Sequence, residues 1–193
     1  HGSTHARLIK FGIAYLRALH SLWMLRNSRE SADYETRAFY SWNLAERRRQ
    51  RKRYRILLES VSDKQRILDV GCGASQALNA IPQSVGLDVL HQKLRFMRRP
   101  GRLLANAAAT ALPFADGTFE IVIASGMLQS VQDTEKALKE FARCLESGGI
   151  LLTGINVNQR AIETTLAAAG FEILERQPVT GNELLVKARK QDI

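Results

Sequence analysis

The 193-residue sequence predicts an α/β fold, a three-layer sandwich on a seven-stranded, mostly parallel sheet with the last strand antiparallel, plus an N-terminal helical extension. Three observations predict it. From residue 66 onward, short apolar runs alternate with helix-like stretches, as in a parallel sheet flanked by helices. Glycine-rich turns punctuate the first and fifth of these runs. Before residue 60 the spacing is helical instead.

The elements follow in order. Arg66–Val70, Ser84–Asp88 and Arg102–Ala105 read as the first three strands. Phe119–Ala124 is the fourth, after the Asp116-Gly117 turn signal, and Ile150–Thr153 the fifth, after Gly148-Gly149. Between them Ala137, Leu138, Phe141, Ala142 and Leu145 recur at helical spacing, with Asp133 as N-cap and Gly148 closing the end. A further helix runs from about Gln159 to Ala169 and stops at Gly170. Phe171–Arg176 and Glu183–Ala188 read as two last strands, joined through Pro178 and the Thr180-Gly181-Asn182 turn. Their closeness in sequence makes them an antiparallel pair. Upstream, Arg7–Arg26 and Leu44–Ser60 read as helices, while residues 28–43 hold no clean period. The domain organisation is thus a basic helical cap over residues 1–60 and an α/β domain over 61–193.

Apolar residues make up 45% and charged residues 24% of the chain, the balance of a globular protein. The apolar stretch from Leu8 to Leu25 is broken by Lys10, Arg17 and His20, too interrupted for a membrane span. It lacks a small-residue cleavage site and so does not read as a secretory signal. The two cysteines, Cys72 and Cys144, have no metal-site spacing and fit a reducing cytoplasm. Localisation is therefore expected to be cytoplasmic, with peripheral membrane attachment open. The formal charge is +9; residues 1–60 carry 13 Lys/Arg against 5 Asp/Glu, and residues 61–193 carry 15 against 14. The excess belongs to the N-terminal third, which points to a partner contacted there.

The strongest chemical signal is Leu68-Asp69-Val70-Gly71-Cys72-Gly73. A buried strand runs into a turn whose glycines let backbone N–H groups approach a ligand closely. Asp69, at the strand's C-terminal edge, can meet a cationic ligand group. A dinucleotide site wants a pyrophosphate on the helix N-terminus and a third glycine, and that position is Gln76. Asp88, 19 residues after Asp69, ends the second strand, where a carboxylate can accept ribose hydroxyls. A ligand with a ribose and positive charge, and without phosphate, satisfies both acids.

With these residues the sequence resembles the class I S-adenosylmethionine (SAM)-dependent methyltransferases, especially the small-molecule and lipid-acting group with its Rossmann-like fold. Four stretches occur in the family's order: Leu68–Gly73, Gly86-Leu87-Asp88, Leu112-Pro113-Phe114 with its following turn to Val122, and the helix ending Leu145–Gly149. The resemblance covers roughly residues 60–190. It implies that Asp69, Gly71, Cys72 and Gly73 surround the methionine part of SAM, Asp88 the ribose, and Val89 the adenine. Asn106, Ala107 and Ala108 would flank the adenine edge, and Ser125, Gly126 and Met127 would line the floor beneath the sulfonium. S-adenosylhomocysteine would be the product; no metal is implied. Three positions depart from the pattern. Ser75 replaces a third glycine, Ala108 replaces the acid that bonds the adenine amino group, with Asn106 as a substitute, and Gln129-Ser130 replaces a Glu-His pair.

The acceptor is narrowed by what is missing. No Asn/Asp-Pro-Pro-aromatic run follows the fourth strand, which disfavours amino methylation of nucleic-acid bases. No Pro-Cys nucleophile is present, which disfavours cytosine C5 chemistry. Gly154–Asn158 is too short to form a lid, so the N-terminal third is the sizeable candidate for covering the substrate. Tyr34, Tyr40, Trp42, Gln129 and Ser130 are the substrate-side candidates. Seven positive charges in the nine positions from Arg47 to Arg55 would self-repel on a bare helix. They point to an anionic partner: a phosphorylated substrate, an anionic membrane surface or RNA. The helix over 7–26 is basic and amphipathic, which fits an interfacial membrane helix or docking on protein. The leading expectation is a SAM-dependent methyltransferase acting on a small-molecule or lipid-linked, anionic acceptor. The alternatives are an RNA methyltransferase and a non-catalytic SAM-binding regulatory subunit.

Overall fold

The computed structural model describes residues 2–28, 30–62, 65–157 and 161–191, without the side chains of residues 2–8, Asn27 and Ala161. Arg7 and Leu8 side chains, Asn158 and Gln159 therefore lie outside the described residues. Seven strands form one sheet in the order β3-β2-β1-β4-β5-β7-β6. They are β1 (Ile67–Val70), β2 (Val85–Asp88), β3 (Leu103–Asn106), β4 (Phe119–Ala124), β5 (Leu145–Asn156), β6 (Phe171–Thr180) and β7 (Glu183–Lys190). β1 to β5 pair in parallel, and β7 runs antiparallel between β5 and β6. This is the expected sheet.

Seven α-helices accompany it: α1 (Gly2–Asn27), α2 (Tyr34–Phe39), α3 (Leu44–Glu59), α4 (Gln76–Ala80), α5 (His91–Met97), α6 (Thr134–Cys144) and α7 (Ala161–Ala168). Alternate β-residues point to opposite faces, and the core divides accordingly. Val122 and Ala124 face Leu138 and Phe141 of α6 and Leu166 of α7. Ile121 and Ile123 face Ile56 and Leu57 of α3. Leu78, Leu94 and Met97 of α4 and α5 pack around Cys72 beyond the first loop.

The structure departs from the sequence reading in four places. α3 is a core helix covering one sheet face, so residue 60 is no boundary of packing. Its start is fixed by Asn43, whose side chain accepts from the Ala45 and Glu46 N–H groups. α2 lies inside the stretch without a period, because six residues are under two turns and show none. α6 has the Asp133 cap, Oδ1 to Lys136 N–H at 2.9 Å, but ends at Cys144. Gly148 (φ +70°) sits instead inside an irregularity of β5, between the Phe119–Leu145 and Ile121–Ile150 pairs. Finally, β6 continues through Pro178 to Thr180, since an edge strand tolerates the missing N–H.

Candidate functional site

The chain leaves β1 toward β2 and β3 on one side and returns to β4 on the other. The crevice beyond the C-terminal ends of β1 and β4 is the switch point where open α/β sheets bind ligands. A cavity of about 1180 Å³ opens there, lined by Asp69, Gly71, Asp88, Ala107, Ser125 and Gly126 among others. It is somewhat larger than a usual ligand pocket.

Asp69, 4% exposed, ends in an Oδ2 atom with no hydrogen-bond partner. Burial pushes its pKa up to about 7, helped by the Asp88 and Glu35 charges, while the Ser75 hydroxyl pulls it down. An orphaned buried carboxyl oxygen costs free energy until a donor reaches it. Asp88 is also buried, and its two oxygens accept the N–H groups of Gly73 and Leu90, both at 2.8 Å. This fixes the carboxylate at the end of β2 and ties the glycine loop to it. Gly71 (φ +67°) and Gly73 (φ +49°) take backbone conformations that side chains rarely adopt. A Cβ at Gly73 would overlap the Glu35 carboxylate, and one at Gly71 would stand 2.6 Å from Met127 Cβ.

Glu35, on α2, was not singled out from sequence. Its Oε2 accepts Ala74 N–H at 2.9 Å, and its Oε1 receives Lys93 Nζ at 2.6 Å. Thr36 adds a bond to the Ala74 carbonyl. The N-terminal region thereby closes directly on the glycine loop. Asp69, Asp88 and Glu35 set three carboxyl groups against the single ammonium of Lys93. Ser75, in place of a third glycine, causes no strain: its φ is −59° and its hydroxyl caps α4 at Ala77 N–H. Cys72 is a core residue whose thiol burial pushes well above its usual value, and its N–H donates to the Leu87 carbonyl at 3.0 Å.

Val89, Ala107 and Ala108, the residues expected beside the adenine, line the cavity. Asn106 is exposed at the end of β3, and its amide donates to the Asp88 and Val89 carbonyls at 2.8 and 3.1 Å. It therefore shapes the loop after β2. The Leu112-Pro113-Phe114 segment is clamped by α6. Arg143 donates to the Leu112 and Phe114 carbonyls, and Glu140 Oε2 accepts Leu112 N–H at 2.8 Å.

The floor comprises Ser125, Gly126 and Met127, with Gln129 and Ser130 beyond it on the 3-10 turn Leu128–Ser130; all five line the cavity. Above Gly126 stands Arg53 of α3, with Nη1 3.4 Å from where a Gly126 Cβ would lie. Arg53 Nε donates to Glu183 Oε1 at 2.9 Å, and Arg49 stands 3.6 Å from Glu183 Oε2. Arg49 also pairs with Glu46. The arginine run is thus not a bare helix face, because Glu46 and Glu59 on its own helix and Glu183 on β7 answer the charges of Arg49, Arg55 and Arg53. Arg48, Arg51 and Arg55 form its exposed stripe.

Of the aromatic candidates, Tyr34 lines the cavity, joined by Phe39 and Tyr54, which the sequence reading did not single out. Tyr40 and Trp42 do not; they are 61% and 98% exposed. Phe39 ends α2 facing inward, and the chain then turns outward toward the Asn43 cap. No signal in the sequence singled out Phe39, because α2 spans under two turns and shows no period.

The residues fit SAM. Its ammonium matches the orphaned Asp69 oxygen, its ribose the fixed Asp88 carboxylate, and its net positive charge the three-acid wall. Among the described residues no group of three or more His, Cys, Asp or Glu is placed to hold a metal.

Comparison with known proteins agrees. Residues 68–153 match the methyltransferase domain family. The ubiquinone/menaquinone biosynthesis C-methyltransferase UbiE of Haemophilus ducreyi is 34% identical over 116 residues, covering 52% of this chain and 45% of that protein. The chain spans less than half the length of the curated relatives it matches, from 30% to 46%. The N-methyltransferase NodS of Bradyrhizobium japonicum WM9, solved with S-adenosyl-L-homocysteine, superposes with TM-score 0.62 at 19% identity, over 83% of this chain and 98% of that one. The [4+2]-cyclase SpnF superposes with TM-score 0.64 at 19% identity, over 72% and 80%. Residues 68–153 therefore match a methyltransferase domain, and the sheet has the Rossmann-like fold of the class I SAM-dependent methyltransferases, whose cofactor is SAM.

Proposed function

We propose that the chain methylates a small-molecule or lipid-linked acceptor that carries an acidic oxygen near the methylated atom. The observation that carries this reading is the Arg53 guanidinium above Gly126, on the floor where the resemblance puts the sulfonium. SAM, when bound, supplies a methyl group already activated by its sulfonium. The protein's task is then to align the acceptor and exclude water. Arg53 would hold an acceptor oxygen in its ionised form, making the acceptor a nucleophile without a dedicated base. Glu183 and Arg49 would hold Arg53 in place, and Tyr34, Phe39 and Tyr54 would supply an apolar wall. A relative named for ubiquinone and menaquinone C-methylation supports an aromatic, lipid-linked acceptor of this chemistry.

The test is labelled-methyl transfer from SAM into a cell extract, fractionated into lipid, RNA, protein and small molecules. Label in the lipid or small-molecule fraction, lost with Arg53→Gln, is expected. Label in RNA would overturn the acceptor class. Label nowhere, despite SAM binding, would favour a regulatory subunit; a fold shared with a cyclase shows that architecture alone does not dictate methyl transfer.

A further inference from the structure

α1 is the element that neither the cofactor nor the acceptor site uses. Every described side chain from Ile9 to Arg26 is exposed. Ten large apolar side chains of this helix are among the exposed ones, Phe11 at 74%, Tyr15 at 66% and Leu16 at 65% included. A surface helix of a globular protein ordinarily turns such residues inward. At about 100° per residue, Lys10, Arg17 and Ser21 fall within about 40° of one another, and apolar residues take most of the remaining circumference, interrupted by His20 and by Arg26 at the helix end.

We propose that α1 lies in the surface of an anionic phospholipid bilayer, with its apolar arc among the acyl chains and Lys10 and Arg17 at the headgroups. Two features choose this occupant. The first is charge: the chain has no Asp or Glu before Glu30, so every ionic side chain on α1 is cationic. A second copy of α1 would bring only like charges to a shared interface. The second is the width of the apolar arc. One partner helix covers a seam of two positions per heptad, whereas acyl chains cover a broad arc. Among the described residues no helix is long and apolar enough to cross a membrane, so α1 lies on the bilayer instead of spanning it. The inference goes beyond the acceptor reading and stands without it, since it needs no methyl transfer. If the acceptor is lipid-linked, α1 brings the cavity to the phase that contains it.

The experiment is sedimentation of the full chain with phosphatidylglycerol–phosphatidylcholine vesicles and with pure phosphatidylcholine vesicles. Light scattering reads the oligomeric state, and calorimetry with SAM serves as the folding control. Binding to the anionic vesicles is expected, falling as salt is raised. The double variant Lys10→Gln/Arg17→Gln should bind about 30-fold more weakly, from about 1 kcal/mol per basic residue at the surface. Leu16→Gln/Leu22→Gln should also release it, with SAM affinity unchanged in both. Failure to bind either vesicle, equal binding to neutral vesicles, or a stable oligomer dissolved by Leu16→Gln/Leu22→Gln would each overturn the proposal. Loss of methyl transfer with vesicle binding intact would instead count against the proposed function.

Discussion

The two walls of the cavity differ in charge. The wall expected to hold the cofactor presents Asp69, Asp88 and Glu35 with one ammonium, Lys93, while the wall proposed for the acceptor presents Arg49 and Arg53, paired with Glu183 and, outside the cavity, Glu46. One wall therefore carries an excess of negative charge, and the other presents paired guanidinium donors. The polypeptide sources differ as well: most of the acidic wall comes from the ends of β1 and β2, and both arginines come from α3. Strand ends common to this fold supply the half expected to hold the cofactor, and a segment outside residues 68–153 supplies the half proposed for the acceptor.

The contrast is broken most severely at Asp69. Asp69→Asn keeps the shape and removes the charge, and SAM affinity should fall by about 100-fold or more, the cost of leaving one member of a buried pair alone. Calorimetry reads it. The same substitution should raise the melting temperature of the ligand-free protein above pH 7. The sign follows from the shift: a carboxyl titrating near 3.8 in the open chain and about 7 in the fold makes the native state bind more protons between those values. Stability without ligand therefore falls as pH rises from about 4 to about 7, and the asparagine variant should escape that fall.

Arg53→Gln tests the other wall. kcat/KM should drop about 10- to 100-fold, the worth of a hydrogen bond to a charged group, with SAM affinity unchanged. Arg53→Lys should restore part of it and shift the pH profile of kcat. A drop in SAM affinity instead would mean that the walls are not separate. Gly73→Ala sharpens the contact between the regions. Its left-handed backbone and the adjacent Glu35 carboxylate leave no room for a methyl group. A stability loss of about 1–3 kcal/mol by denaturant unfolding is expected, with weakened SAM binding. The smallest effects belong to Tyr40→Ala and Trp42→Ala. Both side chains are exposed outside the cavity, so acceptor KM should change by less than about two-fold, as for ordinary surface substitutions.

The cavity wall expected to hold the cofactor was legible in the sequence because strand-end residues inherit their direction from the sheet. Asp69 and Asp88 close strands whose apolar pattern is plain, and Gly71 and Gly73 announce the turn. Ala107, Ala108, Ser125 and Gly126 follow by register. Asn106 braces the loop after β2; an amide at a strand end can face a ligand or brace such a loop, and spacing does not distinguish them. The acceptor half was opaque for another reason. α2 is too short to show a period, so nothing separated inward Phe39 from outward Tyr40 and Trp42, and Glu35 looked like an ordinary surface acid. In Arg47–Arg55 the run hid two inward arginines, whose partner Glu183 is 130 residues from Arg53.

The most direct test is the affinity for SAM measured by calorimetry about one pH unit below and one above the Asp69 value of about 7. If the SAM ammonium is held by ionised Asp69, affinity rises across that interval, the lower-pH titration releases more protons, and Asp69→Asn abolishes both effects. Affinity that is flat with pH, or a pH dependence that Asp69→Asn leaves intact, would contradict the account.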